Sequence, residues 1–192
     1  MTYCVGMMLD KGLVLMSDTR TNSGVDNIST FRKMYRWEQP GERIIALMTA
    51  GNLATTQSVI SQIEERNKAP EDRHNSVLEA STMFQVATMV GKLLQETIRS
   101  QQTANGQDGS GTFTASMIVA GQIRGMEPRM FLIYPEGNFI EASFDTPFFQ
   151  IGETKYGRPI ILRGYSRTMS FEDAVKLLMV SFDSTLKANL SV

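Results

Sequence analysis

Residues 2–18 read Thr2-Tyr3-Cys4-Val5-Gly6-Met7-Met8-Leu9-Asp10-Lys11-Gly12-Leu13-Val14-Leu15-Met16-Ser17-Asp18. Two β-rich apolar runs flank Asp10-Lys11-Gly12, a junction suited to a tight hairpin, so the chain opens with two antiparallel strands. Residues 19–30 are polar, contain Gly24 and read as a loop. Phe31 to Glu38 forms a third strand, Gln39-Pro40-Gly41-Glu42 turns the chain, and Arg43 to Thr49 forms a fourth. Its segment Ile44-Ile45-Ala46-Leu47-Met48 is apolar throughout, which predicts burial on both faces.

Helices follow. Asn52 caps a helix that runs to Arg66 and stops before Pro70. Ser76 with Glu79 is a capping-box pair that starts a second helix, with Val77, Ala80, Phe84, Ala87, Gly91, Leu94 and Ile98 as its apolar stripe. The glycine-rich stretch 103–112 precedes a strand, Phe113 to Ile123, and lacks the lysine and following helix of a phosphate cradle, so it reads as a connection. Met130 to Tyr134 and Phe139 to Ser143 form a hairpin around Pro135-Glu136-Gly137-Asn138, and Phe148 to Ile151 is a further strand. Ser170 caps a final helix from Phe171, with Asp173 at the capping-box position and Ala174, Leu177, Leu178 and Ser181 on its buried face. Strands grouped before helices argue for an α+β fold rather than a doubly wound sheet. Two packed antiparallel sheets with helices outside both, a four-layer α-β-β-α sandwich, would bury every apolar face. Residues 1–192 contain no linker and no internal repeat, so a single domain is expected.

Composition narrows the chemistry. The chain has 192 residues, 42% of them apolar, and a net charge of −1. That balance disfavours a nucleic-acid arm or a polybasic membrane surface. No apolar run reaches the roughly 18 residues of a membrane span. Asp10 and Lys11 interrupt the N-terminus too early for a secretory signal, and a cytoplasmic protein is expected. One cysteine, Cys4, and one histidine, His74, give no internal disulfide and no Cys/His metal cage. His74 lies in the polar stretch Pro70-Glu71-Asp72-Arg73-His74-Asn75, which reads as a solvated loop and not as part of a Ser-His-Asp site. The thirteen methionines fill apolar positions. No metal or cofactor is expected.

Thr2 carries the candidate chemistry. Once Met1 is removed, one residue holds a hydroxyl and a free α-amine. A threonine hydroxyl needs an adjacent base to attack at neutral pH, and an N-terminal amine, titrating near ~7.7–8, can be that base. If the first three strands are neighbours, Thr2 at the start of one, Asp18 at the end of its partner and Lys33 from the next converge. A buried or paired lysine beside a hydroxyl can accept its proton, as the neutral amine, or lower its pKa by positive field, as the ammonium, and Asp18 would hold that ammonium in place. Ala50-Gly51-Asn52, at a strand-to-helix junction, offers backbone N–H groups for an oxyanion. Each residue alone has a plain structural reading, Asp18 as a turn cap, Lys33 as a solvated strand end and Gly51 as a turn former. Their joint order points to a site.

Thr2, Ser17-Asp18-Thr19-Arg20, Phe31-Arg32-Lys33 and Thr49-Ala50-Gly51-Asn52 resemble the N-terminal half of proteasome β subunits and of the bacterial heat-shock-locus-V peptidase, both N-terminal-nucleophile hydrolases. Val25-Asp26-Asn27-Ile28-Ser29-Thr30-Phe31-Arg32-Lys33, Gly152-Glu153-Thr154-Lys155-Tyr156-Gly157-Arg158-Pro159 and Ser181-Phe182-Asp183-Ser184-Thr185 are similar to motifs of the bacterial proteasome-like Anbu (ancestral β subunit) family. The resemblance implies an αββα sandwich, Thr2 as nucleophile, Asp18 and Lys33 as charge partners, and the Gly51 amide as oxyanion donor. It also implies pocket-lining roles for Thr21, Phe31, Thr49 and Leu53. Ser191 matches the family's supporting serine, whereas Asn189 is out of spacing with the usual aspartate, and the chain stops within that motif. Only Met1 precedes the threonine, so methionine removal alone would release it.

The leading expectation is a threonine-type amide or peptide hydrolase working in a homo-oligomer, a ring or a helical assembly, on peptide or unfolded polypeptide. An ATPase partner is not specified. The alternative is an assembly-forming proteasome-like subunit with a vestigial site or one acting on small amides.

Overall fold

The computed structural model describes residues 2–22, 28–68, 76–104 and 113–189. These form two compact units, residues 1–35 with 142–192 and residues 36–141.

In the first unit, β1 (Tyr3–Leu9) and β2 (Gly12–Ser17) form the expected hairpin, in register from Cys4 opposite Ser17 to Leu9 opposite Gly12. On the other edge of β1 lies β10 (Phe148–Gly152), antiparallel, with Tyr3 opposite Gly152. The alternate residues Tyr3, Val5, Met7 and Leu9 share one core with Val14, Phe148 and three residues of the C-terminal helices, Ile161, Ala174 and Leu178. Burying side chains of this size stabilises by about 1.5–3 kcal/mol each, so β1 is the spine of the unit. Those helices are α3 (Arg158–Gly164) and α4 (Phe171–Ala188). Ser170 caps α4 as expected, its Oγ accepting from Asp173 N at 3.1 Å. Ala174, Leu178 and Ser181 are buried, and Leu177 packs partly buried against the core. Helix α3, begun by Pro159 in its first turn, lies in a stretch the sequence reading left without an element.

The segment read as a loop over 19–30 contains a two-stranded ribbon instead. Strands β3 (Arg20–Asn22) and β4 (Ile28–Thr30) pair antiparallel, Arg20 opposite Thr30 and Thr21 opposite Ser29. Short polar strands carry no alternation for a sequence pattern to catch. The ribbon occupies residues assigned to the loop, so the third main strand, β5 (Met34–Gln39), starts at Met34 rather than Phe31.

The second unit is a sheet in the order β5, β6 (Arg43–Gly51), β7 (Ala115–Ile123), β8 (Arg129–Ile133) and β9 (Phe139–Glu141), carrying helices α1 (Leu53–Lys68) and α2 (Met83–Ala104). Strands β6 and β7 pair along their whole length, from Arg43 opposite Ile123 to Gly51 opposite Ala115. Strands β8 and β9 form the expected second hairpin. Residues Ile45–Ala50 of β6 are buried, but Ile44 is 43% exposed, so burial on both faces stops one residue short. Asn52 caps α1 (Leu53–Lys68), its Oδ1 accepting from Thr55 N at 3.1 Å.

Helix α2 (Met83–Ala104) begins seven residues after the expected start. Ser76 and Glu79 close a local turn, Glu79 N donating to Ser76 O at 3.1 Å, rather than a helix. The cap sits at Thr82, in a variant of the capping box whose return bond from Gln85 goes to the residue before the cap. Thr82 Oγ1 accepts from Gln85 N at 3.2 Å, and Gln85 Oε1 accepts from Ser81 N at 2.8 Å. Phe84, expected in the buried stripe, is 51% exposed, while Met83, Val86, Val90 and Leu93 are buried beside Ala87 and Leu94. Gly91 keeps its expected place because the helix meets the β8–β9 turn there, and a Cβ would lie 2.3 Å from Gly137 O.

In each unit a sheet carries helices, which is what each half of the expected α-β-β-α order requires.

Candidate active site

The site is built on the first residues of β1. The carbonyl of half-buried Thr2 accepts from Glu153 N at 2.6 Å. That close approach depends on Gly152, which ends β10 at φ 86°, where a Cβ would sit 2.0 Å from Thr2 O. Only glycine fits there, on both counts.

Tyr3 and Asp18 then bond twice. Tyr3 N donates to Asp18 Oδ1 at 2.8 Å, and Asp18 N donates to Tyr3 O at 2.9 Å. The carboxylate so held also accepts from Arg20 N at 3.2 Å and from Lys33 Nζ at 2.6 Å, both at Oδ2. Lys33 Nζ donates in addition to Arg20 O. The lysine and aspartate side chains are 6% and 2% exposed. Two charges this deep are tolerable only when paired and hydrogen-bonded, and these are both.

The β3–β4 ribbon makes the pairing happen. The chain leaves Asp18 along β3 and returns along β4, and Phe31 N donates to Thr19 O at 2.8 Å as the two strands close. Lys33 is thereby brought back onto Asp18, fifteen residues away in sequence. Thr2, Asp18 and Lys33 are expected to converge if the first three main strands are neighbours. The strands are not neighbours, since β5 pairs in the other sheet; the pairing of Asp18 with Lys33 beside residue 2 is present all the same, made by the β3–β4 ribbon.

Gly51 ends β6 in the second unit, immediately before Asn52 and α1. Its φ is 111°, and a Cβ there would lie 2.5 Å from Thr114 O, so this position requires glycine. Thr49 is buried in β6 and Leu53 is half-buried at the start of α1. Thr21 and Phe31, both half-buried, belong to the first unit, at the ribbon and just after it. Ser191 and His74 lie outside the described residues, as does 105–112 of the glycine-rich stretch.

Ser181, Glu153 and Asn189, none of them expected at the site itself, tie Thr2 and Tyr3 to the rest of the unit. Tyr3 OH donates to Ser181 Oγ at 2.7 Å, and Ser181 Oγ donates to Gly157 O at 2.9 Å. Burial pushes the Tyr3 phenol up to about 12, opposed by its bond to Ser181. Glu153, whose N–H holds the Thr2 carbonyl, accepts at its carboxylate from Lys155 N at 2.7 Å and from Asn189 Nδ2 at 2.8 Å. Asn189, the C-cap of α4, thus reaches the loop that grips Thr2. Ser181 was legible as a buried helix position; nothing local in the sequence marks its bond to Tyr3.

Among the described residues no group of three or more His, Cys, Asp or Glu could hold a metal ion. No helix among them is long and apolar enough to cross a membrane.

The proteasome subunit family model matches residues 2–191, and the chain belongs to that family, a proteasome-type N-terminal-nucleophile hydrolase family with an α+β fold. Among solved structures it is similar to Anbu (ancestral beta-subunit) from Yersinia bercovieri, 47% identical with a TM-score of 0.91 over 100% of this chain and 77% of that one. It is likewise similar to an Anbu (Gly-1) mutant from Hyphomicrobium sp. strain MC1, 48% identical with a TM-score of 0.90 over 100% of this chain and 78% of the other. A structure described as a helical assembly of the Anbu complex from Pseudomonas aeruginosa is 43% identical, with a TM-score of 0.92 over 100% of this chain and 77% of that chain. A proteasome subunit beta from Methanopyrus kandleri is 25% identical over 189 residues, 97% of this chain and 80% of that one.

Proposed function

We propose that the chain is a threonine-type amide hydrolase of the cytoplasm, acting on peptides or unfolded polypeptide, with Thr2 as nucleophile after Met1 is removed. One observation carries the reading: a buried Asp18–Lys33 ion pair is clasped to the peptide N–H next to Thr2. In this reading the α-amine accepts the hydroxyl proton as Oγ1 attacks the carbonyl carbon. The Lys33 ammonium favours the developing alkoxide, and Asp18 fixes that ammonium. Gly51 takes the oxyanion role through its backbone N–H, supported by its glycine-only geometry before a capped helix. Collapse of the tetrahedral intermediate expels the amine, which takes the proton back. Water then hydrolyses the ester on Thr2. The family resemblance implies substrate-binding roles for Thr21 and Phe31 in the first unit and for Thr49 and Leu53 in the second, and a supporting role for Ser191.

Exposure of correctly processed protein to a β-lactone, followed by peptide mass spectrometry, tests the reading. An adduct on Thr2 in wild type, absent in Thr2→Ala, is expected. Processed wild type without an adduct would overturn it.

Assembly of identical copies is part of the same proposal, and α4 supports it. One face of α4 is buried, whereas Phe171, Val175, Met179 and Leu186 form an exposed stripe beside it, with Met179 58% exposed. Glu172, Lys176, Asp183 and Lys187 line one flank of that stripe. Each pairs within its own helix, Lys176 with Glu172 at 2.6 Å and Lys187 with Asp183 at 2.8 Å. Their order is antisymmetric about the point between Met179 and Val180. A second copy laid antiparallel on a two-fold axis puts Glu172 opposite Lys187 and Lys176 opposite Asp183, while the apolar stripes meet. The alternative function, an assembly subunit without peptidase activity, draws on the same stripe. Equal turnover of fluorogenic peptides by wild type and Thr2→Ala would favour it.

A further inference from the structure

We propose that Tyr3 and Ser181 are positioning residues for the nucleophile, a hydroxyl chain that sets where Thr2 and Asp18 lie relative to helix α4. This rests on Thr2 being the nucleophile. Tyr3 is fully buried, and its two ends do different work. Its main chain bonds Asp18 in both directions and directly follows Thr2. Its side chain runs to α4, where the phenol donates to Ser181 Oγ at 2.7 Å. Ser181 Oγ has one proton, and that proton goes to Gly157 O at 2.9 Å, so the phenol is fixed as donor and the chain has one direction. Ser181 is fully buried as well, and its own carbonyl accepts from Thr185 Oγ1 at 2.9 Å.

Packing closes the other ways the ring could shift. The Phe182 ring lies against Tyr3 with centroids 5.1 Å apart. A Cβ at Gly157 would lie 2.6 Å from Ser181 Oγ and 2.9 Å from Tyr3 Cε2, so the residue-157 backbone is in contact with both members of the chain. A phenylalanine would fill the same ring volume. What the hydroxyl adds is a defined depth against α4, carried by a rigid ring to the backbone of residue 3. The attacking oxygen is one residue away, and a misplacement of about 1 Å there can cost ~100-fold in rate.

The test uses full-length processed protein in its native assembly, with Tyr3→Phe acting at one end of the chain and Ser181→Ala at the other. Two readouts are taken on each: kcat and KM per β-lactone-titrated site, and hydrogen exchange of the peptide covering residues 2–9. Each variant is expected to lower kcat about 10-fold with KM unchanged and to speed exchange in that peptide, and the double variant to lose no more than either single one. A role confined to stability would lower the melting temperature and leave kcat per titrated site intact. Wild-type exchange in residues 2–9 in both variants, or wild-type kcat per titrated site in both, overturns the proposal. If wild type shows neither turnover nor a Thr2 adduct, the nucleophile assignment fails, and faster exchange in the two variants still supports the hydroxyl chain as what places residue 2.

Discussion

Tyr3 and Asp18 hold each other by two hydrogen bonds, one to the carboxylate, Tyr3 N to Asp18 Oδ1 at 2.8 Å, and one between main chains, Asp18 N to Tyr3 O at 2.9 Å. The aspartate side chain is therefore oriented by the strand that carries the candidate nucleophile, and what it then orients is Lys33.

Removing either charge should cost more than removing both. Asp18→Asn strands a buried ammonium, and Lys33→Met strands a buried carboxylate, each destabilising by about 3–5 kcal/mol. The double variant restores neutrality and should recover part of that loss in urea denaturation. Activity should not recover. All three variants should lose at least ~100-fold in kcat/KM, since the field at the hydroxyl is gone.

Alkaline stability should depend on Tyr3. Its phenol is raised from 10 to about 12 in the folded chain, so the folded state holds the proton more tightly than the unfolded one. That stabilisation is complete below pH 10 and is lost as pH rises from 10 to 12. Two pK units correspond to roughly 3 kcal/mol as an upper figure. Denaturation at pH 9, 10, 11 and 12 should show a steeper decline for wild type than for Tyr3→Phe.

Gly152→Ala should injure the site more than the fold. The new Cβ would meet Thr2 O at 2.0 Å and must adopt a φ near 86°. The strain costs about 1–3 kcal/mol, and relief requires the Thr2 carbonyl to move off Glu153 N. The β-lactone acylation rate should fall at least 10-fold, while circular dichroism stays that of wild type.

The α4 stripe predicts a charge-swap result. Met179→Glu should shift the assembly towards smaller species in light scattering. Glu172→Lys should weaken the assembly, and Glu172→Lys with Lys187→Glu should restore it, because the swap re-forms the pair between copies. Failure of the double swap to restore assembly would count against an antiparallel contact.

Much of the fold was legible because it is set locally. The β1–β2 hairpin follows from two apolar runs around Asp10-Lys11-Gly12, and α4 follows from Ser170 with Asp173. The misread elements are those where a local signal has two outcomes. Ser76 and Glu79 look like a capping box and make only a turn, while Thr82 and Gln85 cap α2. The ribbon of β3 and β4 is polar and short, so its pairing has no periodic signature. At the site, charge type pointed to the Asp18–Lys33 pair, but the neighbouring strands expected to make it are not neighbours: β5 belongs to the other sheet, and Lys33 is returned by the β3–β4 ribbon ahead of it. Tyr3–Ser181 spans 178 residues of sequence, and Glu153–Asn189 joins a loop to a helix end. Neither bond has a spacing that a pattern could register; only the folded chain brings those atoms within reach.

The ribbon fixes the length of its own stretch of chain. Arg20 must lie opposite Thr30 for Lys33 to return to Asp18. Deleting or inserting one residue within either strand would turn the side chains that follow in that strand to the opposite surface. The ammonium would then point away from its acid, although no residue of the site had itself been altered. Single-residue insertions and deletions are thus barred from these two strands, in a region whose polar composition would otherwise mark it as free to vary.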